Sequence, residues 1–451
     1  MARVTTLGAS LVAVLGGLIL ALGCLDRGVA KDAGDAAAAP PETTPTTRSW
    51  TVPAPAVHAH SGFLYGRVTV DGGRTYEGRL RWGGDQEAFW SDYFDGAKDR
   101  NPWAAYSPLE RSAQGQGGIE IFGFELGGPD RSNLDRLFLA RFGDIARVEA
   151  HFATVHVTLK SGTVITLDRF SAGDIDDGVR IWDPRHGTMD IDARRIRVIE
   201  FLPTPPLVDG PLRLHGVVRA SGKEFTGFIQ WNQHDGVSTD TLDGRADGED
   251  VSLPYASIRS ITRRSRDSVA VTLLDGRTIE LSGRREVGRN NRGIYVDDPR
   301  YGRVLVSWQS FERVDFHPDG TGPGYADFVS GRRLTGIVAT RDGRRLSGRL
   351  VYDLDESETT ETLEVSSENL DYGIPFDLIA AIVTAPRGAE ASAPVRIVLC
   401  GGDELAVERA GDVGERNAGV LIFAAGEKDP RHVAWSDVER IEFDCLSEHR
   451  K

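Results

Sequence analysis

The segment from Glu87 to Tyr106, EAFWSDYFDGAKDRNPWAAY, holds the residue types best suited to chemistry in this chain. Trp90, Tyr93, Phe94, Trp103 and Tyr106 stand beside Asp92, Asp95 and Asp99. Aromatic faces flanked by carboxylates suit stacking on a sugar ring with hydrogen bonds to its hydroxyls, or the anchoring of a protein partner. Glycoside hydrolysis needs two carboxylates across a cleft, yet nothing in the sequence selects a pair from 67 acidic residues. The same aromatics would equally serve as a lid packed on their own scaffold, because buried loop aromatics are common packing devices. The candidate ligand-binding set is therefore Trp90, Tyr93, Phe94, Trp103, Tyr106, Asp92 and Asp95, with no catalytic residue, metal or cofactor assigned.

Weaker constellations surround it. His58 and His60 share one face of an extended "HAH" but lack a third ligand for a metal. "DIDDG" at 174–178 lacks the acidic spacing of a calcium loop. Asp-Pro-Arg occurs at 183–185, 298–300 and 429–431, where proline pre-sets a turn and aspartate bonds the backbone ahead of it. Nucleophile elbows, HExxH and phosphate-loop patterns are absent from the sequence.

The elements that position these residues are written three times. LYGRVTVDGGRTYEGRLRW (64–82), LHGVVRASGKEFTGFIQW (214–231) and LTGIVATRDGRRLSGRLVY (334–352) share paired glycines, a turn between them and a terminal aromatic, Trp82, Trp231 or Tyr352. Alternating apolar residues around a glycine turn predict a β-hairpin. A second part of each copy opens on VHVTLKSGTVITL (155–167), VAVTLLDGRTIEL (269–281) and VRIVLCGGDELAV (395–407), again hairpins with one buried face. It closes on IRVIEF, FERVDF and VERIEF, preceded by Trp308 and Trp435 in the later copies but by Ala193 in the first.

The predicted fold class is all-β, with three tandem two-part units of small barrels or strongly bent sheets. Recurrent glycines at strand positions suggest the sharp bends that small barrels require. This pattern of strand pair, bent strand and closing segment resembles the SH3-like and Sm-like small-barrel folds. The resemblance covers residues 61–445 and extends to uncharacterised exported bacterial proteins with such repeats. It implies no activity, and Sm-type RNA contacts do not carry over, since no matching asparagine or basic loop is present.

The predicted divisions are a signal peptide over 1–24, an Ala/Pro/Thr tether over 25–60, and repeats over 61–203, 211–317 and 331–445. From Trp82 to Ile145 is 63 residues, against 27 from Trp231 to Ile258 and from Tyr352 to Ile379, which places an aromatic insert at about 83–138. Insertions on such a scaffold fall on loops, and loops carry function more often than strands do.

The first 24 residues, one early cation and then an apolar run too short and glycine-rich for a membrane span, read as an export signal. Leu20-Ala21-Leu22-Gly23-Cys24 resembles a bacterial lipobox, which would make Cys24 the lipidated residue of a periplasmic or cell-surface protein. Ordinary cleavage after Ala30 is the other reading. In an oxidising compartment Cys400 and Cys445 are candidates for a disulfide, or remain two buried thiols. A net charge of -14 argues against nucleic acid and anionic membrane as partners. The expected function is an exported, envelope-tethered binding or scaffold protein presenting the aromatic insert to a protein or glycan. The alternative is an envelope carbohydrate-active hydrolase using the insert's carboxylates.

Overall fold

Alternation of apolar and polar residues on either side of glycine turns folds as antiparallel hairpins throughout. The computed structural model describes residues 60–445 except 84, 99–100, 104–105, 107–118, 122–123, 127–136, 170–177, 208–209, 284–285, 318–321 and 391. The first unit contributes β1 (Tyr65–Val70), β2 (Thr75–Trp82), β3 (Tyr93–Ala97), β4 (Ile119–Ile121), β5 (Phe124–Leu126) and β6 (Leu137–Arg141). It continues with β7 (Ile145–Ala150), β8 (Thr154–Leu159), β9 (Val164–Asp168), β10 (Val179–Asp183), β11 (Gly187–Ile191) and β12 (Ile196–Phe201).

The second unit runs through β13 (His215–Ala220), β14 (Lys223–Gln230), β15 (Thr241–Ala246), β16 (Glu249–Pro254) and β17 (Ile258–Arg263). Its remaining strands are β18 (Ser268–Leu273), β19 (Thr278–Ser282), β20 (Ile294–Asp298), β21 (Gly302–Val306) and β22 (Phe311–Phe316). The third repeats the pattern with β23 (Thr335–Thr340), β24 (Arg345–Tyr352), β25 (Thr362–Ser367), β26 (Leu370–Pro375) and β27 (Ile379–Val383). It ends with β28 (Val395–Leu399), β29 (Glu404–Val407), β30 (Val420–Phe423), β31 (Arg431–Val433) and β32 (Val438–Phe443).

The fold is all-β, and every strand pair is antiparallel. The two parts of a unit are not separate modules. In each unit the first strand sits between its hairpin partner and the closing strand, as β1 sits between β2 and β12. The sheets also stay open: the first is ordered β11-β10-β2-β1-β12-β7-β8-β9, and none closes into the small barrel that was one of the two expected forms. One reason is visible at β21. That strand pairs with β26 of the third unit, Arg303 opposite Gly373 through Val306 opposite Leu370, so the hairpin β25–β26 extends the second sheet to twelve strands.

The repeated glycines are places of close approach. Gly66 faces Gly78, Gly216 faces Gly227 and Gly336 faces Gly348 across the first hairpins. A Cβ on any of the six would meet a neighbouring strand's carbonyl oxygen nearer than 3.0 Å, which real Cβ atoms essentially never do. Two of the Asp-Pro-Arg turns serve the same bend. Asp183 accepts the Glu77 N–H at 3.0 Å as well as those of Arg185 and His186, and Asp298 accepts the Thr226 and Arg300 N–H groups at 2.8 and 2.9 Å.

Each core forms around the aromatic that ends the first hairpin. Trp231 meets Trp308 edge-on at 6.1 Å, and Tyr352 meets Trp435 likewise at 5.9 Å. In the first unit, where Ala193 replaces that tryptophan, Phe94 supplies the edge-on ring to Trp82 at 5.4 Å. Such geometry aligns ring edges with ring faces.

Cys400, in the turn between β28 and β29, is joined to Cys445 beyond β32, with a Cα separation of 5.8 Å. The bond closes a loop of 45 residues, which restricts the unfolded chain. Reduction, or Cys445→Ser, is expected to lower stability by about 2 kcal/mol. An unchanged urea midpoint in dithiothreitol would show that the crosslink adds nothing.

Candidate functional site

Most of the aromatic and acidic segment belongs to the repeat rather than to an insertion. β3 and β6 form the same hairpin as β15–β16 and β25–β26: Tyr93 faces Arg141 as Thr241 faces Pro254 and Thr362 faces Pro375. Phe94 thus corresponds to Leu242 and Leu363, and all three are fully buried. The residues extra to the first unit are those from 98 to 136, where the other two hairpins have turns of two residues. They lie within the stretch of about 83–138 expected from chain length.

Asp92 is likewise a repeated part. Its Oδ2 accepts the backbone N–H groups of Glu87 and Ala88, both at 2.7 Å. Asp240 accepts those of Gly236 and Val237, and Glu361 those of Ser357 and Glu358. A carboxylate that takes two successive N–H groups pins a turn, so all three acids fix the entry to the second hairpin. Burial pushes the Asp92 carboxyl up to about 6 against the opposing pull of Arg213 and Arg303. The signal was present in the sequence, since an acid stands nine residues after Trp231 and Tyr352 and ten after Trp82.

Around this turn the units are fastened together. Arg213 of the second unit donates to the Trp90 carbonyl and the Ser91 hydroxyl, Arg303 donates to the Ser91 carbonyl, and Gln230 donates to the second oxygen of Asp92. Ser91 holds a left-handed φ of 95°, an unfavourable conformation for a residue with a side chain, and both arginines grip it. The Arg303 guanidinium lies 3.9 Å from the Tyr93 ring, whose hydroxyl is buried. Trp90 packs at 6.1 Å from Phe328 with Arg141 on its ring.

The residues after Ala97 reach the third unit. Lys98 pairs with Asp355 at 2.6 Å and Glu361 at 3.3 Å, and the Asn101 amide donates to the Leu354 carbonyl at 2.9 Å. Trp103 lies edge-on to Phe423 at 5.8 Å, and Tyr106, the most exposed of the five aromatics, lies 6.3 Å from the same ring. Asp95 is half-buried and also engaged. Apart from the exposed Tyr106, the predicted set therefore comes together as an inter-unit clasp whose rings and charges meet partners within the protein.

Other sequence candidates resolve simply. His60 is buried in the fold against Gly210 and Phe63, while His58, Cys24 and Asp174–Asp177 lie outside the described residues. Among the described residues no group of three or more His, Cys, Asp or Glu side chains could hold a metal ion. A cleft of about 680 Å³ beside the first Asp-Pro-Arg turn is lined by Tyr65, Arg67, Glu77 and His186, but Arg67 is paired with Glu77, and His186 with Asp183. No family model, curated protein or solved structure matches this chain.

Proposed function

We propose that the protein is an exported, envelope-tethered scaffold or binding protein, whose three units form a rigid platform held by the clasp at Trp90 to Trp103. The observation that carries this reading is the use of the one segment rich in aromatics and acids. Its carboxylate Asp92 is saturated by three donors from the protein itself. A general acid or nucleophile needs an approach for substrate that such a carboxylate does not offer. The export-signal pattern over 1–24 and the cysteine at position 24 support an envelope address, with a lipid anchor before the platform.

The reading is tested by Asp92→Asn in the full chain. A scaffold role predicts a loss of about 1–3 kcal/mol, because a charged acceptor of buried N–H groups becomes a neutral amide. The hydrolase reading predicts an unchanged melting midpoint with lost turnover on envelope glycans. Fractionation of cells producing full-length protein with Cys24→Ser tests the anchor separately: release from the membrane fraction is expected, and no redistribution would argue against lipidation.

A further inference from the structure

A cationic cleft of about 370 Å³ opens where the second unit meets the tip of the third unit's hairpin. Arg263, Arg266, Arg289 and Arg292 line it beside Trp308 and Asn369, and no aspartate or glutamate does among the described residues. Four guanidinium groups lining one cleft stand out in a chain of net charge -14.

The cleft is built rather than incidental. The Trp308 indole N–H donates to the Arg266 carbonyl at 2.9 Å, and the Trp308 carbonyl accepts from Arg263 Nη1 at 2.9 Å. The backbone at Arg292 is pinned from both sides: its N–H donates to Asn232 at 3.0 Å and its carbonyl accepts from Gln233 at 2.8 Å. Arg289 is set in place by a two-pronged pair with Asp267, at 2.8 and 2.6 Å. The Arg266 and Arg292 guanidinium groups are exposed and make no ion pair among the described residues. Their backbones are therefore fixed while their donors remain open, which lowers the ordering cost of capturing an anion.

We infer that this cleft binds a compact, multiply charged phosphate-class anion. Guanidinium presents paired donors that match phosphate oxygens. Of the four arginines only Arg289 makes an ion pair among the described residues, with Asp267, which leaves a surplus of positive charge for an anion to balance. The volume suits a phosphate group with a small substituent rather than a polymer. The site lies apart from the clasp and does not depend on the scaffold reading.

The experiment is titration calorimetry of the full chain with inorganic pyrophosphate and with glucose 1-phosphate, at constant ionic strength. Saturable binding is expected, weakened by about tenfold or more in Arg266→Ala/Arg292→Ala. The preferred ligand distinguishes a free oligophosphate from a sugar phosphate. Arg387→Ala/Arg396→Ala removes equal charge from exposed positions elsewhere and is expected to leave binding unchanged. Absence of saturable binding, or equal loss in both double variants, overturns the assignment. Because Arg266 and Arg292 are exposed, matching melting midpoints will show that their replacement leaves the fold intact.

Discussion

Replacing Gly227 by alanine will destabilise the second unit by about 3–4 kcal/mol, although the change adds a single methyl group. Gly227 lies on β14 opposite Gly216, and a Cβ there would strike the Asp297 carbonyl of β20. That carbonyl cannot withdraw cheaply. β20 is in register with β14 from Phe228 opposite Asp297 to Gln230 opposite Tyr295, and the Asp298 carboxylate ties the next turn to Thr226. Gly222 provides the control within the same hairpin. Its φ of 72° is unfavourable for alanine, but nothing stands within 4 Å of an added Cβ. Gly222→Ala should cost only about 1 kcal/mol, the left-handed penalty alone. Equal urea midpoints for the two variants would refute close approach as the reason for the repeated glycine.

These glycines show what the sequence makes legible. Hairpins follow from alternation within about a dozen residues, and three copies let Trp82, Trp231 and Tyr352 be aligned as core centres without any outside reference. Sheet edges are a different matter. Nothing local to Leu370–Pro375 states that β26 will pair with β21 of the preceding unit, while the equivalent β15–β16 instead meets β19 of its own. Open and closed sheets have the same alternation, so the pattern alone left both forms standing.

The position of the extra residues is hard to read for a related reason. Chain length between Trp82 and Ile145 locates an excess but not its position, whereas the acids at Asp92, Asp240 and Glu361 fix the register of the three units. Once they are aligned, Tyr93, Phe94 and Asp95 have counterparts in both other units, and only the residues after Ala97 are new. The arginine cleft is beyond such reasoning because its side chains come from three stretches, 263–266, 289–292 and 307–309, with Asn369 added by another unit.

Replacing Lys98 by methionine is expected to cost about 3–5 kcal/mol at pH 8, the range for removing one partner of a buried charge pair. Lys98 is the cation in a pocket of acids that includes Asp355, Glu356, Glu361 and Glu364. Burial alone would depress its pKa, but Asp355, then Glu361 and Glu356, carry it above the usual lysine range. It therefore stays charged throughout pH 5–8. The surrounding acids behave oppositely. Burial, then Asp355 and Asp412, raises Glu356 well above the ordinary carboxylate range; burial, then Asp412, does the same for Glu364; and burial raises Glu361 despite Lys98.

An acid whose folded pKa is raised binds its proton more tightly folded than unfolded, so it favours folding at low pH and loses that contribution as pH rises through its folded value. Glu87, raised by burial to about 7, and Asp235, raised by burial and Glu286 to about 8, act in the same direction. The wild-type melting midpoint should therefore climb between pH 8 and pH 5. Below about pH 4 the depressed acids, such as Asp342 at about 2 beside Arg344, reverse the trend. Without Lys98, Glu356 and Glu361 lose the cation that opposes their burial, and because their carboxyls are raised, falling pH relieves that loss by favouring their neutral forms. The cost of Lys98→Met should therefore be smaller at pH 5 than at pH 8. A penalty independent of pH would mean that Lys98 acts through the packing of its stem, and that the acids around it are held apart by something other than its charge.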